Sequence, residues 1–285
     1  MEPWLGNPGA TLGVIKKYGI RLRKRYGQNF LIDSRVLDGI ITSAGVTKED
    51  FVLEIGPGIG TLTQYLCAAA KKVLAVEIDR DLIRILSDTL QGFENVSVLN
   101  RDILKTDLQQ IAEEENEGRP LKVVANLPYY ITTPIIMGII ESPAPVESMT
   151  FMVQKEVAER MIAAPGGKDY GALSLAVQYR CDAHIDLEVP PDCFIPKPEV
   201  TSSVITLQKK EERIPVKDEQ KMFALIRAAF STRRKTLVNC LGQAKEAGLD
   251  KEKARQLLMK MGLAENIRGE QLSLEQFARL SDMIS

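Results

Sequence analysis

Four short β-branched and apolar runs, FVLEIG (51–56), KVLAVEID (72–79), VSVL (96–99) and KVVANL (122–127), alternate with helix-patterned segments TLTQYLCAAA, RDLIRILSDTL and LQQIAEEE. A fifth run, MTFMVQ (149–154), follows. The runs are too uniformly apolar to have a face suited to water, and strands of that kind belong in a parallel sheet covered by helices on both sides. The fold class expected is therefore α/β. After GALSLAVQYR, read as a helix, the runs AHIDLEVP and VTSSVITLQ flank the proline-rich PDCFIPKPE and read as a hairpin-like pair closing the sheet. KKEERIPVKDEQ reads as a polar linker. From residue 219 the pattern is helical only: QKMFALIRAAF has apolar residues at 222, 223, 226, 229 and 230, and Ser273 and Gln276 form a capping-box pair. The acidic EEENE at 113–117 reads as a solvated loop. The organisation expected is a basic segment 1–30, a sheet domain 31–208 and a small helical domain 209–285.

Net charge is only −1, but the charges are segregated. Residues 1–30 carry six basic groups and one acid, residues 31–208 carry 15 basic and 26 acidic groups, and residues 209–285 carry 16 basic and 11 acidic groups. An acidic middle between basic ends suits contact with a phosphate backbone better than the average suggests. Four cysteines without a C-x-x-C pair and a single histidine, His184, suggest neither a disulfide framework nor a metal site, and point to a reducing compartment. The first residues lack the pattern of a secretory leader or an organelle presequence, and no apolar stretch reaches membrane-spanning length. A cytoplasmic protein with no membrane contact is expected.

EIGPGIGTLTQYL places Gly56, Gly58 and Gly60 at a strand-to-helix turn, where backbone can approach a ligand and helix amides face it. A tight turn without ligand is the plain rival. A dinucleotide fingerprint would require glycine at 61, where Thr61 stands, and Pro57 removes an amide a pyrophosphate would use. Glu77 ends the second strand, 21 residues after Gly56, where a carboxylate accepts from both hydroxyls of a ribose. Asp102, just past the third strand, is placed to accept from an adenine amine. Each acid has an ordinary alternative: a surface charge for Glu77, a cap on the helix starting at Ile103 for Asp102. Together with the glycine loop they outline a nucleoside without a diphosphate, the shape of S-adenosylmethionine.

Asn126 ends the fourth strand and reaches the same crevice, its rival reading being a turn-forming Asn before Pro128. If the substrate is an adenine N6 amine, whose lone pair is delocalised into the ring, the Asn126 side-chain oxygen and the Leu127 carbonyl can take its two hydrogens and free the lone pair. Pro128 holds that carbonyl without adding a donor. Tyr129 offers a flat face for a base, worth about 1 to 3 kcal/mol.

With RYGQNFL (25–31), EIGPGIGTLT (54–63), VEIDRDL (76–82), NRDIL (100–104), NLPYYITTP (126–134) and FIPKPEVTSSV (194–204) in order, nearly the whole chain resembles the small-subunit rRNA adenine-N6,N6 dimethyltransferases. The resemblance implies a methyltransferase Rossmann-like sheet and a C-terminal helical domain. It also implies dimethylation of two adjacent adenosines in a hairpin near the 3' end of 16S rRNA, within the small ribosomal subunit or its precursor; a monomer is expected, although the sequence does not fix the oligomeric state. It further implies that Asn29 and Leu31 contact the methionine end of S-adenosylmethionine above Gly56 and Gly58, that Glu77 holds its ribose and Asp102 its adenine. Asn126 bridges cofactor and target amine, and Phe194 covers the base face opposite Tyr129. From the residues alone Phe194 reads as a core aromatic anchoring a proline-rich turn. Tyr130 receives no role. The rivals are a 23S rRNA adenine methyltransferase, a non-catalytic RNA-binding assembly factor, and, last, a nicotinamide oxidoreductase, which leaves NLPY unexplained. The basic stretch Lys16 to Arg25 and the triplet Arg233, Arg234 and Lys235 are the candidates for RNA phosphate contact, against the ordinary reading of a solvated surface.

Overall fold

The computed structural model describes residues 4–20, 29–243 and 249–284, so Arg21 to Gln28, with most of the N-terminal basic run and the start of RYGQNFL, lie outside the described residues. Each apolar run becomes a strand: β2 (Phe51–Ile55), β3 (Lys72–Glu77), β4 (Val96–Asn100), β5 (Leu121–Asn126) and β6 (Val146–Gln154), with β7 (Cys181–Val189) and β9 (Ser202–Lys209) later in the chain. These make one seven-stranded sheet in the order β4-β3-β2-β5-β6-β9-β7. The first five are parallel, and β9 runs antiparallel to β6. Val52, Leu53, Val73, Val123, Val124 and Phe151 are fully buried, which is why these strands carry no polar alternation. The crossovers hold α3 (Thr61–Ala69), α4 (Arg80–Thr89), α5 (Leu108–Asn116) and α6 (Thr132–Glu141). A separate two-stranded ladder pairs β1 (Phe30–Leu31) with β8 (Phe194–Ile195), and α2 (Ser34–Ser43) packs on α3 and β9.

Two local readings change. EEENE is the end of helix α5 rather than a loop: Gln109 and Gln110 donate to Glu113 and Glu114 one turn on, at 3.1 and 2.7 Å, and Glu115 pairs with Lys72 at 2.6 Å. Such i,i+4 pairs let an acidic run stay helical. The chain also opens with a helix, α1 (Pro8–Tyr18), whose signals are local. The Asn7 side chain accepts from Gly9 N–H, Pro8 sits in the first turn, and Gly19 closes the helix at φ 59°.

The contacts divide the chain into two units, Met1–Ala158 with Ala183–Lys209, and Glu159–Asp182 with Lys210–Ser285. The segment 159–182, which the sequence groups with the sheet, thus belongs with the C-terminal helices. The second unit contains the end of α7 (Lys155–Ile162), then α8 (Ala172–Arg180), α9 (Glu219–Phe230), α10 (Leu237–Leu241), α11 (Lys251–Lys260) and α12 (Leu274–Asp282). The reason lies in α8 and its approach. Tyr170 donates its hydroxyl to the Leu272 carbonyl (2.9 Å), Tyr179 packs edge-on against Phe223, and the buried Arg180 lies over Phe223 while pairing with Glu219. The triplet Arg233, Arg234 and Lys235 occupies the exposed turn between α9 and α10 rather than a helix, and Ser273 and Gln276 form the expected reciprocal cap on α12. Tyr170→Phe removes only the hydrogen bond and leaves the buried Leu272 carbonyl short of a partner. A loss of about 1 to 2 kcal/mol in unfolding free energy is expected by denaturant titration; an unchanged midpoint would mean that this bond does not hold the segment.

Candidate active site

Because β2, β3, β4 and β5 run parallel, their carboxyl ends share one edge of the sheet, and the residues just past them converge there. A cleft of about 1100 Å³, its open mouth included, lies at this edge. Asn29, Leu31, Gly56, Gly58, Glu77, Asp102, Asn126 and Tyr129 all line it. Phe194 does not: it is 1% exposed, paired with Leu31 in the β1–β8 ladder and packed among Leu37, Val189 and Val204. The reading of Phe194 as a cover for the base therefore gives way to that of a core aromatic, since the ladder turns its ring into the apolar cluster beneath the site.

The glycine loop has positive φ at Gly56 (66°), Gly58 (63°) and Gly60 (92°). At Gly56 a Cβ would meet no protein atom within 4 Å, so its backbone conformation, not packing, calls for glycine. Glu77 is 5% exposed and ties this loop to the end of β3: one carboxylate oxygen accepts from Gly58 N–H (3.3 Å), the other from Asp79 N–H (2.8 Å). Burial raises its pKa, against the lowering effect of those two amides. Each oxygen retains acceptor capacity for a further donor. Asp102 caps the turn Ile103–Lys105 through Leu104 N–H (3.0 Å), its ordinary reading, and also lines the cleft.

Asn126 donates its side-chain N–H to the Asn29 carbonyl at 3.2 Å. That bond fixes the amide's orientation and keeps its oxygen as the acceptor. Tyr129 begins a short 3₁₀ turn, where successive side chains diverge by about 120°. Its hydroxyl meets Ser202 of β9 at 2.7 Å, whereas Tyr130 stands 58% exposed at the rim. Burial raises the Tyr129 pKa and keeps the phenol neutral, with the Ser202 bond opposing.

Residues 19–285 match the family model for ribosomal RNA adenine dimethylase. The chain belongs to that family. It is 56% identical over 283 residues to "Ribosomal RNA small subunit methyltransferase A" of Lachnoclostridium phytofermentans, covering 99% of this chain and 98% of the relative. A Clostridioides difficile protein of the same name is 49% identical over 282 residues, covering 99% and 97%. Among solved structures, a dimethyladenosine transferase from Plasmodium falciparum superposes with a TM-score of 0.73 at 28% identity, covering 88% of this chain and 95% of that one. A 23S rRNA methyltransferase, ErmE, gives 0.66 at 25% identity, covering 89% and 98%. As an rRNA adenine dimethylase the chain is an enzyme, and S-adenosylmethionine is its cofactor.

One lining residue escapes the sequence reading. Glu54 sits in the middle of β2, is 1% exposed, and its Oε2 has no hydrogen-bond partner among the described residues. The signal was available: a carboxylate in a run whose neighbours are all apolar. Burial pushes the Glu54 carboxyl up to about 8, the Thr63 hydroxyl opposing and the charge of Glu77 reinforcing it. Below its ordinary value of 4.5 folded and unfolded chains both hold this proton, and between 4.5 and about 8 only the folded chain does. The stability this group contributes is therefore lost as pH rises across that window. Glu54→Gln removes the dependence, so the thermal midpoint of the variant minus that of the parent is expected to grow from about pH 5 to about pH 8 and then level off. A difference independent of pH would show that Glu54 is ionised in the folded protein.

Proposed function

We propose that this enzyme dimethylates the N6 amines of two adjacent adenosines in a hairpin near the 3' end of 16S rRNA, acting as a monomer in the cytoplasm on the small ribosomal subunit or its precursor. The observation that carries this reading is near-full-length identity of 45 to 56% to bacterial proteins named small subunit methyltransferase A, against 25% to the 23S enzyme.

S-adenosylmethionine supplies a methyl group already activated on a sulfonium. The donors and acceptors of the cleft fit that molecule: Glu77 has acceptor capacity left for the ribose hydroxyls, Asp102 for the adenine amine, and Asn29 and Leu31 border the methionine end above Gly56 and Gly58. The orphaned oxygen of Glu54 gives the ammonium at that end a buried partner, and such pairing favours its ionised form. Asn126, its N–H held by Asn29, presents its oxygen to one N–H of the target amine, and the Leu127 carbonyl takes the other. Two acceptors on one amine favour a pyramidal nitrogen with its lone pair directed at the methyl. Tyr129 supports one face of the unstacked base, its ring held by Ser202. Phe194 is buried in the apolar cluster with Leu37, Val189 and Val204 and is assigned no part in the transfer. No strong general base is required.

Outside the cleft, we assign RNA contact to the helical part of the chain, 209–285, and to the N-terminal basic stretch. In the described part Lys17 is already engaged by Asp88 at 2.6 Å, while the 231–235 turn is exposed. Affinity for ribosomal particles is expected to fall steeply with salt, each phosphate contact adding a log–log slope of about −0.7 to −0.9. A salt-independent affinity would remove this assignment.

Incubation with methyl-labelled S-adenosylmethionine and either unmethylated 30S particles or 23S rRNA, followed by mapping of the label, tests the target. Label on two neighbouring 16S adenosines is expected, and label on 23S rRNA alone would transfer the reading to the large subunit. In the same assay Asn126→Ala is expected to abolish transfer, Tyr129→Ala to lose most of it and Tyr129→Phe to keep much. Equal damage from the two tyrosine changes would make the Ser202-bound hydroxyl, rather than the ring, the feature that matters.

A further inference from the structure

A buried polar relay runs from the N-terminal segment to the back of the glycine loop, and none of the steps above uses it. Leu5 N–H donates to Gln64 Oε1 on α3 (2.9 Å), and Gln64 Nε2 donates to the Thr89 carbonyl at the end of α4 (2.9 Å). The Thr89 hydroxyl donates to the carbonyl of Ile59, between Gly58 and Gly60 (2.9 Å). Gln64 is 3% and Thr89 8% exposed, so water cannot replace these bonds. The Thr11 hydroxyl locks the near end by donating to the Leu5 carbonyl at 2.7 Å.

Apolar packing follows the same path. Leu5, Phe30, Ile59, Leu82 and Ile85 form one buried cluster, against which Val14, Ile15 and Tyr18 of α1 pack. Lys17 and Tyr18 both bond Asp88 on α4. Phe30 and Leu82 also line the cleft, whereas Gln64, Thr89 and Ile59 do not. At Gly60 a Cβ would come within 3.1 Å of Thr89 Oγ1, so the loop is clasped from behind at this point.

A loop with three positive-φ glycines has wide conformational freedom and does not hold one shape by itself. We propose that the N-terminal segment, acting through Gln64 and Thr89, positions the glycine loop and thereby sets affinity for S-adenosylmethionine without taking part in methyl transfer. Gln64 and Thr89 are positioning residues: they fix the loop before the cofactor arrives, which reduces the ordering cost of binding.

The test uses the full chain. Thr89→Val keeps the side chain's shape and loses its donor, Thr89→Ser keeps the donor, and Gln64→Met cuts both bonds of the relay's centre. Thr89→Val and Gln64→Met are expected to raise KM for S-adenosylmethionine about five- to tenfold, the factor that one net hydrogen bond represents. With them, kcat stays within about twofold and KM for RNA is unchanged, while Thr89→Ser behaves as the parent does. Calorimetric Kd for S-adenosylhomocysteine should shift by the same factor. That arm needs no RNA, so its result is independent of which adenosine is methylated. An unchanged cofactor KM in folded Thr89→Val, a fall in kcat alone, or equal damage from Thr89→Ser overturns the proposal. If Thr89→Val does not fold, Thr11→Val cuts only the Leu5 end and carries the same expectation at about twofold. An unchanged KM in that variant overturns the proposal as well.

Discussion

The parallel hydrogen-bonded register of β2, β3, β4 and β5 is the constraint on which the rest depends. Ile55 lies opposite Val76, Glu54 opposite both Ala75 and Val124, and Glu77 opposite Asn100. Parallel strands finish on the same edge, so four chain segments far apart in sequence deliver the glycine loop, Glu77, Asp102 and Asn126 to one cleft. An antiparallel arrangement of the same runs would scatter these groups over both edges.

That edge concentrates acids in a poorly solvated place. Glu54 and Glu77 sit at 1% and 5% exposure on adjacent strands, and the charge of Glu77 adds to the cost of ionising Glu54. Glu77 recovers part of that cost from the amides of Gly58 and Asp79, whereas Glu54 Oε2 has no partner among the described residues. In the binding mode proposed above, the cofactor's amino-acid end and ribose supply donors to these two acids. Stability and binding are thus opposed at the same two side chains.

Much of the fold was legible because its signals are local. Strand runs buried on both faces and amphipathic helices between them are written in residue order, as is the Ser273–Gln276 cap. The acidic end of α5 was harder, since like charges suggest solvent until the glutamines one turn earlier are paired with them. Segment 159–182 was harder still: a helix following a strand looks the same whether it covers the sheet or joins a second unit. Contacts such as Tyr170 at the Leu272 carbonyl, Tyr179 at Phe223 and Arg180 at Glu219 separate the two cases.

For the site, the sequence by itself determined which chemical groups stand at strand ends, because motif spacing and strand length are one-dimensional properties. Glycines at 56 and 58, acids at 77 and 102, and the amide and ring of Asn126 and Tyr129 follow from that. Tertiary structure alone decided which way each side chain turns. It sent Phe194 into the core through pairing with Leu31, fixed the Asn126 amide on Asn29, left Tyr130 at the rim, and drew Leu5 to the back of the glycine loop through Gln64. These outcomes rest on contacts between residues 59 to 163 positions apart, and no local pattern encodes a contact whose partner lies in another element.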